Sequence, residues 1–449
     1  MIRLVAAELR AGWASWIGIV LLAAVLAASS GVGTSMLETG IRVGGEYLRN
    51  LSGGMAAVLL FTAPSGLAVV AAVARLAVDL GRPSYARWML AGVGPAQASA
   101  VVVVQLAVAG LVGGLFGFGA AVAIAAPAVH AAFSEGTGEY ADIPVVVGPI
   151  TFAIVVPLTV LVSVLGGLRA ARTAGRGSAL AALREPEAAA KRMGVLRWIV
   201  LVAVTGGCAA GLGSVLNAPD RSAYMAQSVL VPVYLAAPLL AAGPLIYGAV
   251  LRGWTALVPA RLSSSWYLAR HQARYHLSRS TASITPLFAG TALIGGLFTM
   301  ATTTDAAFVA AGERGVNLGI AQVLFIAGGP VLLAAIGAAV VVFMSNRTQG
   351  GEQALLRASG ADERTVLVSA LLQAVVHVVT ALLLAGAVIA GTAVVCALAL
   401  GRFHAAAPQI DVRAAAVLAG AGLLLTALAT TVPALGRLRE PVAARLAAV

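Results

Sequence analysis

Long apolar windows, broken by short polar stretches that carry most of the arginines, set the pattern of this chain. Windows of about 20 apolar residues match the length a helix needs to cross a bilayer. Read along the chain, they predict ten transmembrane helices, at about 13–36, 52–78, 97–126, 144–168, 197–217, 227–251, 281–303, 318–344, 365–400 and 413–435. The third and ninth exceed what a bilayer requires, which predicts tilt or extension beyond the membrane. Arg3, Glu8 and Arg10 precede the first window, whose apolar stretch is longer than a secretory signal core. It is read as a retained span.

Composition removes the main alternative. The 449 residues are 60% hydrophobic and only 10% charged, against about 25% charged in soluble proteins. Mean hydropathy is +0.96. A soluble enzyme is therefore excluded, and the expected fold class is an all-α integral membrane protein. The net charge of +12 would suggest nucleic-acid binding in a soluble protein. Here it sorts by side instead. With the N-terminus inside, most of the lysines and arginines fall in cytoplasmic segments, while the outer loops hold more acids than bases. The positive-inside rule thus predicts a multi-pass protein of a bacterial plasma membrane with both termini cytoplasmic, and no nucleic-acid partner. Cys208 and Cys396 lie inside apolar windows, so neither a disulfide framework nor a metal site is expected.

The first four windows and the last four repeat a pattern. Each set opens with an amphipathic, arginine-bearing segment suited to a membrane interface: MIRLVAAELRAG before the first window and WYLARHQARYHLSRS before the seventh. A span and a short outer loop follow (LETGIRVGGEYLRN, TTDAAFVAAGERGVN), then a long span and a polar cytoplasmic stretch. The polar stretches align without a gap, YARWMLAGVGPAQASAVVV on GEQALLRASGADERTVLVS, which places Leu90 on Leu356 and Gly94 on Gly360. Six windows precede the second set, so both sets enter the membrane in the same direction, as parallel repeats. The expected organisation is a first four-span repeat with its basic tail at 1–190, a two-span connector at 191–264 and a second four-span repeat at 265–449.

The stretch NRTQGGEQALLRASGADERTVLVSALLQAV resembles the signature of the FtsX/MacB-type permeases. Its basic residue, acid, L-R-A-x-G and long returning helix are here Arg347, Glu352, Leu356, Arg357, Ala358 and Gly360. The closing Arg437, Pro441 and Leu446 are similar to the family's C-terminal pattern. The first repeat is a degraded copy, with Ala91 in the place of Arg357 and no acid for Glu352. The resemblance implies the membrane subunit of an ABC transporter in its long, ten-span form. ATP and magnesium would be bound by a separate ATPase subunit, expected as a homodimer. It also implies that the loops at 79–96 and 345–364 dock on that ATPase, through Arg82, Arg87, Leu90, Gly94, Arg347, Glu352, Leu356, Arg357 and Gly360. A glycine suits the left-handed cap that would close such a docking helix.

Two absences refine this expectation. A P-loop needs a lysine at a fixed place in a glycine-rich motif, and the only lysine is Lys191, in EAAAKRMG. The chain is therefore expected to be a transport subunit and no enzyme by itself. The outer loops are also too short for the large extracytoplasmic domain that many such permeases carry. A duct-coupled pump or an activator of cell-wall hydrolases is thus disfavoured. Export or extraction of a hydrophobic or amphipathic cargo (lipid, peptide antibiotic or drug) remains. The alternatives are a peptide-sensing resistance permease that signals to a histidine kinase and an ATP-independent secondary transporter.

Other residues add less. Gln105, Gln373 and His377 lie within windows, where polar groups mark either a substrate path or interhelical hydrogen bonds. Gly110, Gly113, Gly114 and Gly117 have the small-xxx-small spacing of close helix packing. In the outer segment HAAFSEGTGEYAD, Glu135, Glu139 and Asp142 are a weak attractor for a cationic peptide, and His130 beside them is a weak metal signal. The basic segment from Arg169 to Arg197 reads as a topology anchor that also suits anionic headgroups.

Overall fold

The computed structural model describes residues 13–134, 143–174, 195–259, 261, 263–275, 277–312, 320–358, 360–403, 406–410 and 420. Among them the fold is almost wholly helical, with no strand. In chain order the helices are α1 (Trp13–Val43), α2 (Gly45–Leu90), α3 (Pro95–Ser134), α4 (Pro149–Ala174), α5 (Val195–Leu216) and α6 (Arg221–Ser228). There follow α7 (Val231–Ala241), α8 (Gly243–Leu257), α9 (Ser264–Tyr275), α10 (Leu277–Ala310), α11 (Ile320–Ala358) and α12 (Glu363–Leu400). Nine helical stretches among the described residues are long and apolar enough to cross a membrane, with α6 and α7 together (Arg221–Ala241) counting as one of them. The tenth predicted span, the first amphipathic segment, the acids Glu135, Glu139 and Asp142 and the closing basic pattern lie outside the described residues.

Three expectations about element ends are corrected. The predicted first outer loop is almost entirely helix: α1 runs on to Val43, α2 starts at Gly45, and only Gly44 separates them. Gly44 and Gly45 have φ of 76° and 65°, a left-handed pair that reverses the chain in minimal length. Likewise α10 continues to Ala310, through most of the second predicted outer loop. The predicted sixth span is no single helix. It is divided into α6, α7 and α8, with breaks at Val229–Leu230 and at Ala242. Prolines near the starts of α7 and α8 lack the donors that a continuous helix would use.

The described chain divides into two compact units. One holds described residues of Met1–Ala189 and Gly319–Val341, the other those of Ala190–Leu318 and Val342–Val449. In the first, α1 is central. Ile19, Leu22, Ala23, Leu26 and Ala27 form a fully buried face at helical spacing. Glycines let α3 approach it: a Cβ on Gly113 would stand 2.6 Å from the Val20 carbonyl oxygen, and one on Gly117 would strike the Ala24 carbonyl. Gly110 faces the other way: a Cβ there would stand 3.0 Å from the Ser163 Cβ on α4. The glycine run is therefore a two-sided packing surface. The first part of α11 joins this unit, with Gly329 against Ser29 and Gly337 against Val69.

In the second unit α12 packs on α10, and Trp254 Nε1 of α8 donates to Thr380 Oγ1 at 2.9 Å. By contrast α5 leaves Trp198, Ile199, Val200 and Val202 exposed, a surface suited to lipid. The second predicted amphipathic segment forms α9, which buries Trp266, Ala269 and Ala273 and exposes Tyr267 and Tyr275.

Candidate functional site

The two polar turns that the sequence singles out share one feature: a glycine of positive φ three residues before the next helix. At the first, α2 ends at Leu90, the Gly92 N–H donates to the Met89 carbonyl (3.1 Å) and the Val93 N–H to that of Trp88 (3.0 Å). This is a Schellman cap, and it places Gly92 at φ 92°. The next helix starts three residues on, at Pro95. Its N-cap is Gly94, whose N–H donates to Gln97 Oε1 at 3.1 Å, half of a capping box. At the second turn α11 ends at Ala358, Gly360 has φ 96°, and α12 starts three residues later at Glu363.

In its φ and its distance from the next helix Gly92 matches Gly360, whereas the gapless alignment pairs Gly360 with Gly94, which has no positive φ. Sequence similarity alone could not separate two glycines so close together, because only one of them has positive φ. Pairing Gly92 with Gly360 brings Gln105 opposite Gln373. It sets Met89 opposite Arg357 and Ser84 opposite Glu352, so the first turn still lacks the arginine and the acid.

The predicted docking residues are distributed as follows. Leu90 is 67% exposed, an apolar side chain presented at the tip of a helix. Arg87 is exposed and its Nη2 donates to Ser84 Oγ at 3.3 Å. Gly94 and Gly360 lie in the turns themselves. Arg82, Arg347, Glu352, Leu356 and Arg357 are on the helical backbones of α2 and α11, and their side chains lie outside the described residues.

Of the intramembrane polar residues, His377 Nε2 lies 3.1 Å from Ser280 Oγ, which donates its one proton to the Ala273 carbonyl at 2.8 Å. The serine oxygen is therefore the acceptor, and His377 carries its proton on Nε2. The chain His377–Ser280–Ala273 ties α12 to α10 and α9. Gln105 is fully buried, and neither its oxygen nor its nitrogen has a hydrogen-bond partner among the described residues. Gln373 is buried as well. Gln105 belongs to the first compact unit, Gln373 and His377 to the second.

One polar centre was missed from the sequence. Glu38, read as a loop residue, is fully buried near the end of α1. Its Oε2 accepts from the backbone N–H groups of Gly148 and Thr151 (both 2.9 Å) and from Thr151 Oγ1 (2.8 Å), capping the N-terminus of α4. Arg42 Nη2 lies 3.4 Å from the other oxygen. Next to it, the Thr39 hydroxyl accepts from the Val146 N–H at 2.9 Å. The second unit has a related latch, in which Thr303 Oγ1 donates to the Gln409 carbonyl (2.9 Å). No spacing rule flags Glu38, because its partners lie more than a hundred residues away. Thr39 also lines a small, mostly apolar cavity, together with Met36, Leu51, Val129, Ile143 and Val145.

His130, the one described residue of the weak metal signal, has Nε2 3.1 Å from the Ile143 carbonyl, a bond that ties α3 to the segment before α4. No family model and no curated protein sequence matches this chain.

Proposed function

We propose that this chain is the membrane-spanning subunit of an ABC transporter of the FtsX/MacB-like kind, working with a separate ATPase. One observation supports this above the rest. Both polar turns sit at the ends of long helices, 46 residues in α2 and 39 in α11, which run from an apolar span into the turn without a break. At 1.5 Å per residue α2 is about 69 Å long, roughly twice the thickness of the hydrocarbon core. A displacement at its polar tip therefore has a rigid path into the membrane. The shared turn glycine, the Gln105–Gln373 correspondence and the two threonine latches favour two parallel four-span repeats joined by a two-span connector.

In this reading an ATPase dimer closes on ATP and moves the 79–96 and 345–364 turns. Leu90 offers an apolar anchor, and Arg87, Arg347, Arg357 and Glu352 offer charge-assisted contacts. The long helices carry the motion to the opposite leaflet as a rigid-body shift. ATP and magnesium belong to the partner. The cargo is a hydrophobic or amphipathic molecule drawn from the bilayer of a bacterial plasma membrane, with both termini of the chain cytoplasmic. The test is copurification of the tagged chain from its native membrane. An ABC ATPase should accompany the wild type, and Glu352→Ala/Arg357→Ala should lose it or abolish cargo-stimulated ATP hydrolysis. Wild-type chain that brings down no ATPase under mild detergent would sink the proposal.

A further inference from the structure

Three arginines crowd the junction of α8 with the amphipathic helix α9. Arg274 donates from Nε and Nη2 to Thr255 Oγ1 (3.1 and 2.8 Å) and from Nη2 to the Arg252 carbonyl at 3.0 Å. Arg270 Nη1 donates to the Val258 carbonyl (3.2 Å), and Arg252 Nε to that of Gly248 (2.9 Å). All the acceptors are carbonyls, or a hydroxyl, of α8 and its C-cap: Gly248 lies in mid-helix, and Arg252, Thr255 and Val258 lie toward its C-terminal end. Such an end carries about half a negative charge, whereas the three guanidinium groups bring three full positive ones. Among the described residues no carboxylate pairs with any of them. The surplus is more than two charges.

Two details sharpen the imbalance. The Arg270 Nε is buried without a hydrogen-bond partner. Burial, and then repulsion from Arg270 and Arg252, pulls Arg274 below the ordinary arginine range. Repulsion of this kind is relieved by an anion that shares the donors, and guanidinium forks match the oxygens of a phosphate. The surroundings also suit a lipid surface. Leu257 is 83% exposed beside the cluster, and Tyr267 and Tyr275 stand out from α9, the kind of aromatic side chain enriched at headgroup depth.

We infer that Arg252, Arg270 and Arg274 form a binding site for a phosphate group, carried by the headgroup of an anionic lipid. Donors left over from the carbonyl contacts take the phosphate oxygens, and α9 lies along the membrane surface with Tyr267 and Tyr275 toward the acyl region. The site fixes α9, and through Ser280 and His377 it borders α12, whose first turn adjoins Gly360. It does not depend on the ATPase assignment.

Native mass spectrometry of the whole chain in an uncharged detergent tests this, with phosphatidylglycerol, phosphatidylcholine or inorganic phosphate added separately. The wild type should retain phosphatidylglycerol over phosphatidylcholine by about tenfold or more, as expected for two or three arginines near one anionic headgroup. Arg252→Gln/Arg270→Gln should lose that preference, and Arg252→Lys/Arg270→Lys should keep most of it. Arg49→Gln, which removes an exposed charge elsewhere, should leave it intact. An unchanged thermal midpoint in lipid-free detergent separates loss of the site from loss of the fold. Equal retention of the two lipids by the wild type, or an unchanged preference in Arg252→Gln/Arg270→Gln, would overturn the site. Displacement of the lipid by inorganic phosphate at equal concentration would uphold the phosphate chemistry and overturn the lipid as its source.

Discussion

A carboxylate at the end of an apolar span survives only where donors replace water, and Glu38 has three of them on one oxygen. Replacement by alanine leaves two backbone N–H groups and a hydroxyl without that acceptor, at a cost of about 2 kcal/mol or more. Glu38→Ala should therefore lower the thermal midpoint of the purified protein clearly, and Glu38→Gln, which keeps one acceptor oxygen, should lower it less. Equal midpoints for all three proteins would remove the capping role. Gly148→Ala tests the same joint sterically, because its Cβ would collide with Glu38 Oε1. Asp220 is a simpler cap. It starts α6 by accepting from the Ala223 N–H and Ser222 Oγ, both of which hold its carboxyl below the ordinary aspartate value of 3.8. A depressed folded-state pKa means that the stabilisation is present above 3.8 and is lost as the pH falls through the lower, folded value. Asp220→Asn keeps a good N-cap that does not titrate. Circular dichroism across this range should find acid fraying in the wild type and a weaker pH dependence in Asp220→Asn. Neither joint was legible beforehand: the hydrophobic windows stop short of Glu38, and a cap is visible only once the helix start is known.

Glycines at one spacing do different work along a helix, which the sequence alone does not sort. Within α3, a Cβ on Gly117 meets the backbone of α1, whereas one on Gly119 meets nothing within 4 Å. Gly117→Ala should destabilise by about 1–3 kcal/mol through overpacking, while Gly119→Ala should be neutral or stabilise by about 0.5–1 kcal/mol through helix propensity. Unfolding of the two variants in parallel decides it, and a larger loss at Gly119 would contradict the packing. The polar turn poses the same question for Gly92 and Gly94. A left-handed φ makes Gly92→Ala cost about 1–2 kcal/mol, and Gly94→Ala, with no positive φ and nothing nearer than 3.8 Å, should be tolerated. If Gly94→Ala is the damaging change, the cap belongs to Gly94 and the gapless alignment stands. The apolar windows were legible as helices because twenty apolar residues in a row have few alternatives. Their ends were not. The extension of α1 to Val43 depends on burial of Glu38, and the breaks between α6, α7 and α8 depend on how Pro232, Pro238 and Pro244 are used.

Within each unit the polar contacts sort the chain ends as alternating threading requires. In the second unit Asn217 accepts from Arg402 Nη2 (3.0 Å), Tyr224 bonds Thr304 (3.0 Å) and Thr303 bonds Gln409. These join the α5–α6 turn, the end of α10 and the segment after α12. At the opposite end the arginine contacts join α8 to α9. In the first unit Glu38 and Thr39 join the end of α1 to the start of α4. Within each unit the contacts thus separate two ends, and in the proposed orientation, which rests on the positive-inside rule, the α2–α3 turn would be cytoplasmic and the α5–α6 turn outside. Single cysteines decide the matter once Cys208 and Cys396 have been replaced by alanine. Leu90→Cys and Ser222→Cys both stand at exposed positions in these turns. A membrane-impermeant maleimide on intact cells should label Ser222→Cys at once and Leu90→Cys only after permeabilisation. The reverse order would place the two polar turns outside the cell, beyond the reach of any cytoplasmic ATPase, and would refute the transport proposal together with the orientation. Because the arginine cluster binds by chemistry and not by side, its lipid preference would survive that result, with the outer leaflet as the source.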